Sequence, residues 1–201
     1  MLIIAFIITF IIAFISYLIG SFPTGYLIVK IKTGQDIRQV GSGSTGATNV
    51  KRVLGKKWFF IVMLLDAIKG MVPVLLTRYL FNDSFGILPV IAAICVILGH
   101  SKPLFLQFKG GKSVASGIGT LIALNPLVGI ITAVIWGIIT YITKFVSVGS
   151  IIAVLVSPIL MYIFHKPIFY ILYCITAAIY IIYLHRQNIL RLINGEENKV
   201  R

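Results

Sequence analysis

The chain is written as long apolar runs broken by short polar connections. Seven runs stand out: Leu2–Ile19, Trp58–Leu80, Ile87–Leu98, Val114–Leu124, Leu127–Thr143, Val146–Phe164 and Pro167–Leu184. The first carries on past a GSFPTG break to Ile31. A helix needs ~20 apolar residues to cross ~30 Å of hydrocarbon, so most of these runs predict spanning helices. The third and fourth are short and flank GHSKPLFLQFKGGKS. Stretches of about 10–14 apolar residues can be re-entrant or interfacial instead, and PLFLQF suits the membrane surface. The pattern predicts an all-α integral membrane protein with seven transmembrane helices in a single domain, residues 1–201.

Composition supports this reading. Of 201 residues, 59% are hydrophobic and only 11% charged, where a soluble domain carries about 25% charged. The mean hydropathy is +1.03. Leu2–Ile19 has no basic residue before it and no A-x-A site after it, so it reads as a retained span. Cys95 and Cys174 both sit inside apolar runs, with no Cys/His cluster to make a metal site. No internal repeat of fixed period is evident, and the Gly-rich segments of the two halves do not match as an inverted-repeat transporter requires.

Charge then assigns sides. The net charge is +13, from 18 Lys and Arg against 5 Asp and Glu. With seven spans, the connections after the first, third and fifth share a side with the C-terminal tail. That side holds Lys30, Lys32, Arg38, Lys51, Arg52, Lys56, Lys57, Lys102, Lys109, Lys112, Lys144, Arg186, Arg191, Lys199 and Arg201; the other holds Arg78 and Lys166. Cytoplasmic loops collect Lys and Arg, so the N-terminus is expected outside and the C-terminus in the cytoplasm. The outer connections FNDSFG, NP and HKP carry no evident chemistry. Nucleic acid is not an expected partner, because the cations lie in short loops between spans.

The chemistry gathers on the basic side. GSGSTG, residues 41–46, spells G-x-G-x-x-G, but no strand precedes it and a membrane span lies where the acidic residue of a dinucleotide fold belongs. The glycines still let backbone N–H groups approach an anion closely, or simply make a turn. Asn49 and Arg52 follow at i, i+3, on one face of a helix starting near Ala47. Arg52 offers a fork of donors suited to phosphate. FKGGKS resembles the end of a nucleotide P-loop, but Leu106 stands where its first Gly is required. Gly110, Gly111 and Lys112 still precede a helix, whose free N–H groups and dipole favour an anion.

HRQNILRLINGEE places His185, Asn188 and Arg191 at intervals of three, on one side of a helix; a basic amphipathic tail on anionic lipid reads the same way. VSVGS puts Ser147 and Ser150 at the cytoplasmic end of a span, where small hydroxyl residues commonly serve packing. Asp66 and Lys69, at i, i+3 inside the second span, would cost about 5–7 kcal/mol unpaired at a membrane centre. They are expected to pair, as a brace beneath the 41–46 loop. The five acidic residues form no glycosidase-like pair, and neither His100 nor His185 opens an H-x-x-x-x-D acyltransferase motif.

Taken together, GSFPTGY, GSGSTGATNVKRVLGKK, LDAIKG, GHSKPLFLQFKGGKSVAS, VSVGSI and HRQNILRLINGEE resemble the bacterial acyl-phosphate:glycerol-3-phosphate acyltransferase family (PlsY) over essentially the whole chain. Two positions depart: Ser44 stands where the family commonly has Asn, and Ser113 where it has Gly. The resemblance implies acyl transfer from fatty acyl phosphate to the first hydroxyl of glycerol 3-phosphate, giving lysophosphatidic acid and inorganic phosphate, an early step of phospholipid synthesis. It implies no cofactor, no metal, and a multi-pass place in the bacterial cytoplasmic (inner) membrane. It assigns catalysis to Lys112, Ser150, His185 and Asn188, and substrate binding to Ser42, Asn49, Arg52, Gly110, Gly111, Arg191 and Glu196. Ser42, Arg52 and Lys112 are expected to hold phosphate. Ser150, His185 and Asn188 are expected to position the glycerol moiety, and the Gly110 and Gly111 N–H groups to stabilise developing negative charge. His185 is expected to orient the acceptor while a substrate phosphate oxygen takes its proton. A transporter for a small anion such as glycerol phosphate, with its site near the membrane midplane, is the competing reading; a non-catalytic lipid-binding scaffold is another.

Overall fold

The computed structural model describes residues 2–81, 83 and 85–200. Arg201, counted above on the basic side, and Asn82 and Ser84 of the FNDSFG connection lie outside the described residues. The elements are α1 Leu2–Ser21, α2 Thr24–Thr33, α3 Ala47–Leu54, α4 Lys56–Leu80, α5 Ile87–Ser101, α6 Val114–Leu124, α7 Pro126–Thr143, α8 Val146–Ile163, α9 Ile168–Leu184 and α10 Arg186–Ile193, with short 3-10 turns at Ile37–Gln39 and Leu104–Leu106. Every apolar run of the sequence is helical within a few residues of its expected ends.

The number of full spans is where the expectation of seven changes. Five segments are long and apolar enough to cross: Leu2–Thr33, Lys56–Leu80, Ile87–Leu106, Pro126–Thr143 and Val146–Ile163. A sixth is reached by taking α9 with α10 across their 58° bend. Helix α6 has 11 residues. At 1.5 Å per residue it is roughly 16 Å long, about half a bilayer core.

Glycine explains how these helices meet. In lipid, helix association depends on close packing, and small residues let backbones approach. A Cβ at Gly20 of α1 would run into the Val96 carbonyl of α5, and one at Gly99 of α5 into the Tyr17 carbonyl of α1. Helices α4 and α6 cross the same way: Gly70 faces the Ser116 carbonyl and Gly119 the Ala67 carbonyl. The buried stripe of α1 is Ile12, Ser16 and Gly20, four residues apart. Its opposite face leaves Phe6, Phe10 and Phe14 at 72%, 60% and 53% exposed, an outside suited to lipid.

The short α6 has a buried end to satisfy, because its last carbonyls have no helical partner. Arg78, one turn from the end of α4, donates through Nη1 to the carbonyls of Ala123 and Leu124. Asn125 then caps α7, accepting from Val128 N–H at 3.0 Å. The polar ends of the α6–α7 turn are therefore answered inside the bundle.

The main core joins α1, α4, α5, α6, α8 and α9 through residues such as Ile12, Val74, Ile97, Leu121, Met161 and Tyr173. A smaller cluster, Val29, Ile37, Val50 and Val62, seats the 34–46 loop and α3 on α2 and α4. That second cluster fixes the glycine loop against the bundle. Gly119→Leu is expected to force α4 and α6 apart and destabilise by about 1–3 kcal/mol or more; a lower thermal midpoint in detergent checks it.

Candidate active site at the polar end of the bundle

One cleft of about 120 Å³ opens where α3, α4, α6, α8 and the α9–α10 bend converge, and it is lined by Ser42, Asn49, Arg52, Lys112, Ser150, His185, Asn188 and Arg191 among others. Eight of the eleven residues expected from the sequence thus meet in one place. Their segments are far apart in the chain, so only the helix crossings bring them together.

The first wall is the 41–46 loop. Asn49, 1% exposed, ties it down. Its Nδ2 donates to the carbonyls of Val40 and Ser44 at 2.9 Å and Ile37 at 3.2 Å, and its Oδ1 accepts from Ser42 N–H at 3.0 Å. The amide is occupied by the loop, so Asn49 shapes the wall and does not offer these groups to substrate. Gly41, at φ +61°, is required here because a Cβ would collide with Asn49 Oδ1. Ser44, where the family has Asn, accepts from Gly46 N–H at 3.3 Å and so keeps the turn. Asp36 closes the loop's outer side with a two-pronged ion pair to Arg38, whose Nη2 lies 2.6 Å from Oδ2. That pairing overcomes the cost of burial and holds the Asp36 carboxyl below its ordinary range. Arg52 lines the cleft and makes no hydrogen bond or ion pair among the described residues.

The second wall departs from expectation. Neither Gly110 nor Gly111 lines the cleft. Gly111 N–H donates to the His100 carbonyl at 3.1 Å, so it is not open to an oxyanion. The reason is general: α5 ends at Ser101, its last carbonyls need donors, and the loop supplies one. Lys112 does face the cleft, donating to Asn188 Oδ1. Ser113 adopts φ +59° and is fully buried, its hydroxyl donating to the Ile97 carbonyl at 2.8 Å. The left-handed backbone accounts for the family's Gly at this position, and the hydroxyl's bond to α5 offsets the strain of Ser.

The third wall is held by a carboxylate. Glu197 Oε1 accepts from Asn188 Nδ2 at 2.6 Å and Ser147 Oγ at 2.9 Å, and Oε2 accepts from Arg191 Nε at 2.8 Å. Burial opposes its ionisation, but these three bonds prevail and hold its carboxyl below the ordinary value. The expected residue was its neighbour, Glu196, which is exposed and outside the cleft. Gly195, at φ +72°, reverses the chain after α10, so residue 197 and not 196 turns inward. No periodicity in the sequence separates the two. Ser150, 1% exposed, donates to the Val146 carbonyl at 2.8 Å and accepts from Trp136 Nε1 at 3.3 Å. Trp136, Asp66 and His100 also line the cleft without having been singled out as site residues. The Asp66–Lys69 pair forms at 2.9 Å as expected, but beside His100 and the second loop instead of the first.

His185 sits at the α9–α10 bend with Nδ1 2.8 Å from the Ile181 carbonyl. A carbonyl only accepts, so Nδ1 carries the proton and Nε2 keeps its lone pair. Burial lowers the Lys112 ammonium to about 8, helped by Arg191 and Arg52 and opposed by Glu197. Of the two carboxylates that line the cleft, Asp66 is paired with Lys69 and Glu197 with Arg191, which leaves Arg52 and Lys112 as a surplus of cation suited to a phosphate. The cleft's lining also includes the apolar side chains of Phe59, Met63, Val114 and Ile118. Among the described residues no group of three or more His, Cys, Asp or Glu is placed to hold a metal.

Known proteins share this fold. The family model described as glycerol-3-phosphate acyltransferase matches residues 10–195. The glycerol-3-phosphate acyltransferase of Trichormus variabilis is 44% identical over 201 residues, covering 92% of this chain and 89% of the relative. That of Desulforamulus reducens is 42% identical over 185 residues and covers 92% of each. A crystal structure of PlsY, an integral membrane glycerol 3-phosphate acyltransferase, in its glycerol 3-phosphate form, superposes with a TM-score of 0.91 at 36% identity over 96% of each chain. Its lysophosphatidic acid form gives 0.87 at 34% identity, over 96% of this chain and 95% of that one. With a family match over residues 10–195 and relatives more than 40% identical, the chain belongs to the glycerol-3-phosphate acyltransferase family and is an integral membrane acyltransferase of the PlsY kind.

Proposed function

We propose that this protein transfers a fatty acyl group from an acyl phosphate to the 1-hydroxyl of glycerol 3-phosphate, releasing inorganic phosphate and lysophosphatidic acid. The observation that carries the reading is the cleft's mixed lining: the cations Arg52, Lys112 and Arg191 share it with the apolar Phe59, Met63 and Ile118. Both substrates bear phosphate and one bears an acyl chain, so such a cleft suits both. The transporter alternative finds no support among the relatives, and a cleft at the helix ends is not the midplane site such a protein needs.

The chemistry follows from the residues. Arg52, Lys112 and the Ser42 hydroxyl hold phosphate, with Arg191 fixed by Glu197 as a further cation. The acceptor hydroxyl donates to a phosphate oxygen of its own molecule, while the His185 ring, held through Nδ1 by the Ile181 carbonyl, orients it and Ser150 aligns the glycerol carbons. The hydroxyl oxygen attacks the acyl carbonyl carbon. Its proton passes to a phosphate oxygen of the acceptor, and the bond from carbonyl carbon to phosphate oxygen breaks to release inorganic phosphate. With Nδ1–H committed to the Ile181 carbonyl and the proton going to phosphate, His185 serves to orient. Acyl phosphate is already activated, and positioning can supply on the order of 7–11 kcal/mol. The cations stabilise charge gathering on the leaving phosphate.

The same reading places the cleft on the cytoplasmic face of the bacterial inner membrane, with the N-terminus outside and the C-terminus inside. Basic residues concentrate at the cleft end of the helices, as the positive-inside rule requires. With α6 and the bent α9–α10 pair counted, seven crossings remain the topology we favour, α6 being a half-length one.

The direct test is purified protein in detergent, with no second compartment. Conversion of acyl phosphate and glycerol 3-phosphate to lysophosphatidic acid is expected; glycerol phosphate transport in vesicles without product would overturn the reading.

His185→Asn retains a hydrogen-bonding side chain and is expected to lower kcat by less than about 100-fold. A loss of about 10⁴-fold with glycerol 3-phosphate binding intact would instead make it an obligatory base.

Lys112 sets the alkaline limb. Its pKa lies below the ordinary lysine value, so its charge is present at neutral pH and lost as pH rises through about 8. kcat/KM, which reports free enzyme, is expected to fall above that pH, and the limb in kcat to lie higher because bound phosphate favours the ammonium. Lys112→Arg, with a group that stays charged, is expected to abolish the limb. A pH–rate profile measured for both proteins decides it.

A further inference from the structure

Beside the cleft a buried imidazole atom, His100 Nδ1 on α5, has no hydrogen-bond partner, and the nearby Asp66 Oδ1 on α4 is met only by the Lys69 ammonium at 2.9 Å. They face each other at 3.8 Å, with side chains 6% and 3% exposed. Burying such a group unsatisfied is costly, and a native structure keeps it only with some compensation. Both atoms are closed to solvent, so they are not themselves substrate ligands. Their neighbours show what they act on.

Asp66 is anchored from below. Lys69, one turn along α4, lies 2.9 Å from the carboxylate and donates to the Phe22 carbonyl at 2.8 Å, linking the pair to the α1–α2 break. His100 is anchored from above. Its carbonyl receives Gly111 N–H at 3.1 Å. A Cβ on Gly110 would collide with that carbonyl, and one on Gly111 with the imidazole Nε2. The loop therefore lies flat on His100, and the two glycines are required by this contact and not by an exposed N–H cradle. The next residue is Lys112.

We propose that His100, braced by the Asp66–Lys69 ion pair, is a positioning residue that sets the path of Gly110–Gly111 and so the reach of Lys112 to substrate phosphate. The inference rests on the reading of Lys112 as a phosphate ligand.

The test is a double-mutant cycle read by calorimetric binding of glycerol 3-phosphate to detergent-solubilised protein. The four proteins are wild type, His100→Gln, Lys112→Ala and the double variant. A residue acting through Lys112 has little left to act on once that side chain is gone. His100→Gln is expected to weaken binding about tenfold in the wild-type background, the worth of roughly one hydrogen bond to a charged group, and less than twofold beside Lys112→Ala. Equal weakening in both backgrounds, or none in either, would overturn the proposal. Should His100→Gln fail to fold, Asp66→Asn, which keeps the side chain's shape, completes the same cycle with the same expectation. Glycerol 3-phosphate binding by wild type is the separate check on the proposed function: if wild type does not bind, that reading falls, whereas additive effects in a binding-competent protein overturn only the positioning role.

Discussion

The structure depends on keeping positive charge unneutralised in a half-buried cleft. Arg52, Lys112 and Arg191 converge there, and mutual repulsion with burial makes that convergence unfavourable before substrate arrives. The depressed Lys112 ammonium is the direct sign of it. Glu197 is what makes the arrangement tolerable. Its two oxygens tie α8 through Ser147, α10 through Asn188 and Arg191, and, by way of Asn188, the Lys112 loop. One carboxylate therefore restrains three pieces of chain without cancelling the field that a phosphate would meet. A second carboxylate, Asp66, is already neutralised by Lys69.

Holding cations against repulsion requires a rigid frame, and in lipid that frame cannot rely on expelling water. It relies on contact. The α1–α5 and α4–α6 crossings are as close as backbones allow, with glycine on one side or the other of each. The α4–α6 crossing matters most for the site, because it fixes Asp66 relative to the start of α6, where Lys112 and Ser113 lie. Helix α6 can then be short. Arg78 satisfies its last carbonyls inside the bundle, and its N-terminus stays at the polar face. Such a half-length helix is poor membrane-spanning material and good site-building material.

Much of this was legible in one dimension. Hydrophobic runs report helices in lipid because the bilayer demands intrahelical hydrogen bonding and length, both local properties. That is why all seven runs became helices with nearly the expected ends. Motifs carried the site equally well where a side chain must face a charge: Arg52, Lys112, His185 and Arg191 all line one cleft. Where the sequence misled, the role depended on which backbone group was already engaged. Gly111 looks like an open donor until its N–H is found on the His100 carbonyl at the end of α5, and Gly110 is seen to pack against that same carbonyl. Asn49 looks like a ligand until its amide is found holding Val40, Ser44 and Ile37. Glu196 and Glu197 differ only through the left-handed turn at Gly195.

By itself, then, the sequence determined an all-helical membrane chain, its basic face, and most of the residues that line the cleft. These follow from hydropathy, charge and short motifs, which act over a few neighbouring residues. The tertiary structure alone decided which glutamate turns inward, which loop N–H is already engaged, and what His100 and Asp66 face. Those outcomes depend on backbones that touch across the bundle, between residues 40 or more positions apart in places such as Arg78 and Ala123, and no local pattern encodes such a contact.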